Sequence, residues 1–301
     1  MAATECHANV CVSTVVGQVL ITIILMITGI VGNGTVLKIY YKEKKQASKI
    51  YIIALAWIDL VGCVVFLPQI PFWQLVSALG LSSPVAGYVS VGLMMQKQSY
   101  LFVQIAMVFD RIFAVFKPHS FNQLRRKTNL ILLVIFVALQ MTIQASITTF
   151  YISGDATGFI LAMLAYIIPF MVAFCIYVVA YPAIAVKLWK QNRRIGAATG
   201  NQQNSNIVSE SQQRTKHHIK TLKLYVAVLA LFLFTFLPAV GYTIVYNLGI
   251  GTYWSLYMWV SYIYYINTIG NPFIYYIFIE KFRNDVRAMF GKAARRVIAC
   301  K

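Results

Sequence analysis

VSTVVGQVLITIILMITGIVGNGTVL, residues 12–37, contains no charged side chain, and KIYYKEKKQASK, residues 38–49, follows it at once. A helix of roughly 20 apolar residues crosses the hydrocarbon of a bilayer, so the first stretch is long enough to span. Lys38, Lys42, Lys44, Lys45 and Lys49 crowd behind it. Basic residues collect on the cytosolic flank of a span, which puts the end before Val12 outside the cell. No basic residues precede the stretch, and it exceeds the apolar core of a signal peptide. It reads as a retained first helix, with residues 1–11 as an extracellular segment.

Six further apolar stretches follow, at 50–73, 84–116, 129–150, 158–186, 221–247 and 254–279. The links between them alternate in charge. The third carries Lys117, Arg125, Arg126 and Lys127, and the fifth carries Lys187, Lys190, Arg193, Arg194, Arg214, Lys216 and Lys220. The segment after residue 279 carries Lys281, Arg283, Arg287, Lys292, Arg295, Arg296 and Lys301. The second, fourth and sixth links hold neither Lys nor Arg. This pattern predicts a multi-pass protein of the plasma membrane, N-terminus extracellular and C-terminus cytosolic. The exception to the one-sided charge is Lys97, deep in the third stretch.

A composition 59% hydrophobic and 11% charged is far from that of a soluble domain. The net charge of +18 would suggest nucleic acid if read alone. Its placement beside apolar spans points to anionic lipid of the inner leaflet instead, so membrane lipids are expected partners and nucleic acid is not. The expected fold is an all-α membrane protein, one seven-helix bundle over 12–279. Residues 280–301 form a short amphipathic eighth helix and cytoplasmic tail, with Phe282, Val286, Met289, Phe290 and Val297 as its apolar stripe. The stretch 191–214, rich in Asn, Gln, Ser and Gly, reads as a flexible internal loop. Cys6 and Cys11 are the cysteines on the oxidising side, either paired or free. Cys300 is either a palmitoylation site or a plain thiol.

Polar groups are costly in hydrocarbon, so those inside the spans are where function is sought. Asp59 is a carboxylate in the second span, either neutral and hydrogen-bonded or paired. Asp110 and Arg111 sit at the inner end of the third. Asn271-Pro272-Phe273-Ile274-Tyr275 closes the seventh, where the proline strands a carbonyl and bends the helix. Asn271 is the expected partner of that carbonyl. Pro169 and Pro238 bend the fifth and sixth spans.

Together, in this order and at these depths, these residues resemble the rhodopsin-like (class A) G-protein-coupled receptors over essentially the whole chain. Gly32-Asn33 is similar to the family's first-helix pair, and Leu55 with Asp59 to its second-helix motif. Asp110-Arg111-Ile112 resembles Asp-Arg-Tyr, and Phe236-Leu237-Pro238 resembles the sixth-helix Cys-Trp-x-Pro region. Asn271 to Tyr275 matches Asn-Pro-x-x-Tyr, and Phe282 begins the eighth helix.

The resemblance implies an outer ligand pocket and a heterotrimeric G protein as cytosolic partner. Pro169, Leu101 and Phe232 are the implied core connector, Phe236 the aromatic switch and Pro238 the hinge on which the sixth helix swings outward. Asn271, Pro272 and Tyr275 belong to the same switch. Asp110 and Arg111 are the implied coupling residues, with Tyr177 and Tyr275 closing around Arg111 in the active state. The implied pocket includes Leu93, Gln96, Lys97, Tyr257, Ser261, Tyr262 and Tyr265. Leu93 in place of an acid argues against an amine ligand, and Tyr265 in place of a lysine argues against retinal. A short extracellular peptide is the favoured ligand and a lipid-like molecule the next.

Several positions depart from the family. No cysteine occurs between Cys63 and Cys175 to staple the outer loop. His218 stands where some members have an acid that locks Arg111, so appreciable basal activity is expected. No cofactor is expected. The family's sodium site maps onto Asp59, Asn267 and Asn271, but Tyr100 replaces its serine, which argues against the ion. Lys97 lies about 4.5 Å, one turn, above Tyr100 on nearly the same face. It is read as a counter-ion to Asp59, with an anchor for an anionic ligand, or a snorkelling side chain, as the other readings.

The competing classes are a seven-helix transporter or ion pump, and a decoy that no longer couples. Too few ionisable residues lie at depth for a transport path, and intact Asp110, Arg111 and Asn271 to Tyr275 argue against a decoy. No nucleophile or metal constellation suggests an enzyme.

Overall fold

The computed structural model describes residues 2–41, 47–72, 85–116, 135, 156–199, 205–247 and 254–299. The fourth apolar stretch, apart from Ile135, lies outside them, as do the side chains of Leu93, Tyr257, Cys6, Cys11 and Cys300. Every described element is helical. The helices are named by the apolar stretch each carries: first Ala2–Tyr40, second Ala47–Val61, third Val85–Phe116, fifth Ala156–Thr199, sixth Ser205–Asn247, seventh Trp254–Phe278 and eighth Glu280–Ala299.

These helices close a ring. The first lies against the second and seventh, the second against the third, the third against the fifth, the fifth against the sixth, and the sixth against the seventh. Five of them are long and apolar enough to cross a membrane among the described residues. The distribution of side chains is inverted relative to a soluble bundle. Phe234 is 73% exposed while Asp59 is 1% exposed. Exposed Ile24, Val179 and Ile277 likewise form an outer apolar coat, and Asn33, Gln104, Asn267 and Asn271 are buried inside. Such a coat is stable against lipid, and the polar groups are sheltered within.

Two boundaries differ from the sequence reading. The first helix is continuous from Ala2, through residues expected as an extracellular segment. Helix also covers most of 191–214: the fifth helix runs to Thr199 and the sixth starts at Ser205. Gln, Arg, Lys and Ala in 190–198 are good helix formers, so they prolong a helix already nucleated in the membrane. The polar composition that suggested a loop is equally that of a helix standing in water.

The prolines shape the bundle. In the second helix, Pro68 lacks an N–H and its ring clashes with the preceding turn. The chain answers with a π turn at Gly62–Phe66, where the Leu67 N–H reaches the Gly62 carbonyl at 2.8 Å. In the fifth, Pro182 adds a second break below Pro169. Ile279 separates the seventh and eighth helices, bridged by Ile279 N–H to Tyr275 O at 2.9 Å and Arg283 N–H to Ile279 O at 3.0 Å. Phe282 then turns inward, stacked on Tyr40 at 5.7 Å and edge-on to Tyr275 at 6.4 Å. This anchors the eighth helix beneath the first and seventh.

Candidate functional site

The inner site is built around Asp59 and Asn271. The Asn271 amide donates to Asp59 Oδ2 at 2.8 Å, tying the seventh helix to the second. Tyr100 of the third helix joins them. Its hydroxyl lies 2.9 Å from Asn271 Nδ2 and 3.2 Å from Asn271 Oδ1. All three side chains are fully or almost fully buried. Asp59 Oδ1 and both amide atoms of Asn267 have no partner among the described residues.

The carbonyl stranded by Pro272 belongs to Thr268, four residues earlier. Asn271 does not serve it, contrary to the sequence expectation. Asn33 does, its Nδ2 donating to Thr268 O at 3.0 Å and to Gly29 O at 3.0 Å. Gly32 makes this reach feasible, because a Cβ there would stand 3.0 Å from Pro272 Cγ. Asn271 is thereby released to hold Asp59.

The residues present do not fit a sodium ion between Asp59, Asn267 and Asn271. Sodium needs oxygen ligands, whereas Asn271 turns its amide nitrogen to the carboxylate. The phenol of Tyr100 stands against that same amide, where a serine would leave room.

No ion pair joins Lys97 to Asp59 among the described residues. The Lys97 Nζ lies over the Tyr264 ring, 4.9 Å from the centroid, and the residue is 8% exposed. Among the described residues no carboxylate pairs with it. The neighbouring Gln96 lies against the bare backbone of Gly62, and its Nε2 donates to Ile58 O at 3.4 Å. Ser261 and Tyr265 are buried, and Tyr265 meets Tyr264 edge-on at 5.4 Å. Tyr262 points elsewhere than into the expected pocket. Its hydroxyl bonds Thr22 Oγ1 at 2.9 Å and Gln18 O at 3.2 Å, on the first helix.

An aromatic column joins Lys97 to the Asp59 network. Tyr264 meets Phe236 edge-on at 6.1 Å. Phe236 stacks on Phe232 at 4.8 Å and on Phe170 at 4.8 Å. Phe232 stacks on Tyr100 at 5.2 Å. Leu101 is buried beside this column, while Pro169 is half-buried and Pro238 faces the exterior.

At the opposite end of the bundle from Lys97, Arg111 pairs with Asp110 at 3.0 Å. A further neighbour is Tyr225 of the sixth helix. Arg111 Nη2 donates to the Tyr225 hydroxyl at 3.3 Å, and the guanidinium lies 4.8 Å from that ring's centroid. The tyrosines expected around Arg111 are engaged elsewhere. Tyr177 donates to the Leu101 carbonyl at 3.4 Å, and Tyr275 lies against Phe282.

Sequence reasoning passed over Tyr225, Tyr264, Gln104 and Pro68. Gln104 carried a usable signal, a polar side chain in the middle of an apolar stretch. Tyr225 and Tyr264 carried none, since tyrosine is common in these helices and only packing selects which ones meet a cation.

No curated protein sequence matches the chain. Among solved structures it is similar to squid rhodopsin, with a TM-score of 0.75 and 17% identity, over 93% of this chain and 86% of that one. That likeness speaks for the fold. The family model described as 7 transmembrane receptor (rhodopsin family) matches residues 32–275, most of the chain. With Asp59, Asp110-Arg111 and Asn271 to Tyr275 at matching depths in one ring of helices, the chain belongs to the rhodopsin family of G-protein-coupled seven-transmembrane receptors.

Proposed function

We propose that this receptor binds an extracellular ligand between the outer halves of its helices and activates a heterotrimeric G protein by outward movement of its sixth helix. The N-terminus is extracellular on the charge pattern of the links. The supporting observation is the continuous column from Lys97 through Tyr264, Phe236, Phe232 and Tyr100 to Asn271 and Asp59. A ligand acts on a two-state switch only through tighter binding to one state. Moving the outer end of such a column is a direct way to make binding differ between states. Arg111, held at the inner end by Asp110 and Tyr225, represents the resting state in this reading.

The ligand is a short peptide in the first place and a lipid-like molecule in the second. Lys97 supports an anionic group on either one, a peptide C-terminus or a fatty carboxylate. A buried ammonium that among the described residues faces a ring and no carboxylate is under-compensated and gains most from an anion.

The test is nucleotide exchange on G protein in membranes carrying the receptor, during a screen of peptide and carboxylate libraries. A response that vanishes in Arg111→Ala supports a coupling receptor. A ligand that binds without stimulating exchange points to a decoy, and ion flux without exchange points to a transporter.

A further inference from the structure

His218 replaces the acid that would tie Arg111 to the sixth helix, yet that helix is tied to Arg111 all the same. Tyr225 lies on the sixth helix and is 1% exposed, and Arg111 lies on the third and is 5% exposed. Two contacts join them: the hydrogen bond at 3.3 Å and the guanidinium over the ring at 4.8 Å. Planar guanidinium favours such an arrangement, with one edge donating and one face on an aromatic ring. Asp110 flanks Arg111 on its own helix and pairs with the guanidinium at 3.0 Å.

From this geometry we infer that Tyr225 is a positioning residue that holds Arg111 and the inner half of the sixth helix closed, in place of an acidic lock. The inference rests on the receptor reading above and reverses the sequence expectation of high basal activity.

The mechanism follows from the contacts. Outward movement of the sixth helix must carry the Tyr225 ring away from Arg111 and break both contacts. Their loss is a cost borne only by the open state, so it sets the resting population. Phe at this position keeps the ring contact and loses the hydroxyl, whereas Leu loses both. The closed-to-open ratio should therefore fall in two steps.

The test compares Tyr225→Phe and Tyr225→Leu with the parent protein by ligand-free nucleotide exchange, normalised to folded receptor at the surface. Tyr225→Leu is expected to raise exchange per receptor roughly tenfold, the scale of one desolvated ring contact plus one charge-assisted hydrogen bond. Tyr225→Phe is expected to fall between. A residue needed only for packing would lower the amount of folded receptor and leave exchange per receptor unchanged.

A second readout needs no G protein. A trifluoromethyl label at Lys220→Cys, with the other accessible cysteines replaced by Ser, reports the position of the sixth helix by fluorine NMR. Tyr225→Leu should populate a second resonance that is minor in the parent. Parent-like exchange together with a parent-like spectrum for Tyr225→Leu overturns the proposal. A shifted spectrum without exchange in any variant upholds the latch and counts against coupling to the G protein used.

Discussion

The side-chain amide of Asn33 donates to the backbone carbonyl of Thr268, at 3.0 Å, across the interface of the first and seventh helices. The bond exists because Pro272 has no N–H to offer Thr268. Replacing Asn33 by Leu would leave a carbonyl without a partner in a membrane interior. Interhelical hydrogen bonds in membranes contribute about 0.6–2 kcal/mol, and an orphaned buried acceptor costs about 1–3 kcal/mol. Asn33→Leu should therefore lower the melting temperature of the purified receptor clearly. In a Pro272→Ala background the new N–H serves Thr268, and the same substitution should cost much less. A double-mutant cycle measures this, and additive losses would disprove the link.

Tyr100 stands against Asn271 where the family's ion site has a serine, and this makes a prediction about salt. The parent receptor should melt at the same temperature in sodium chloride as in choline chloride. Tyr100→Ser removes the ring and the hydroxyl that Asn271 holds. It should be less stable, but should regain stability in sodium, because Asp59 Oδ1 and Asn267 then have room to meet an ion. Saturation tenfold above the dissociation constant gives about 1.4 kcal/mol of stabilisation. A Tyr100→Ser protein indifferent to sodium would show that more than Tyr100 excludes the ion.

The helical bundle was legible from the apolar spans, and its buried polar positions from polar residues inside them. Asp59, Arg111 and Asn271 each violate the hydrocarbon rule and each proved central. What stayed hidden was pairing. Asn271 and Asn33 were equally able to answer Pro272, and only the close approach at Gly32 decides for Asn33. Lys97 lies over the Tyr264 ring, a contact that depends on ring placement and leaves no mark in the sequence. Helix ends in water were hidden too, since 191–214 has no apolar period to mark them.

Gly62 is required by the side chain it faces. A Cβ there would run into the Gln96 side chain. Gly62→Ala should force Gln96 off the Ile58 carbonyl and overpack the junction of the second and third helices, at about 1–3 kcal/mol. Gly62→Ala with Gln96→Ala should recover part of this, because the colliding amide is gone. Thermal melting of the two single variants and the pair checks it. A pair no more stable than Gly62→Ala alone would locate the requirement in the π turn itself.

Lys97 separates the two roles that a buried cation could have in this receptor. Its Nζ rests on Tyr264, which meets Phe236, so an anion that draws the ammonium away disturbs the column at its outer end. Lys97→Met removes the charge and keeps much of the length. The loss of potency for a carboxylate-bearing agonist should then far exceed any change in ligand-free exchange. Desolvated charge pairs of this kind cost about 2–5 kcal/mol when one partner is removed, which is roughly 30-fold or more in potency. Lys97→Arg retains the charge and should lose less. For the amide or alcohol analogue of the same agonist, parent and Lys97→Met should respond alike. Raised basal exchange with unchanged potency in Lys97→Met would instead mark Lys97 as an internal restraint on the resting state.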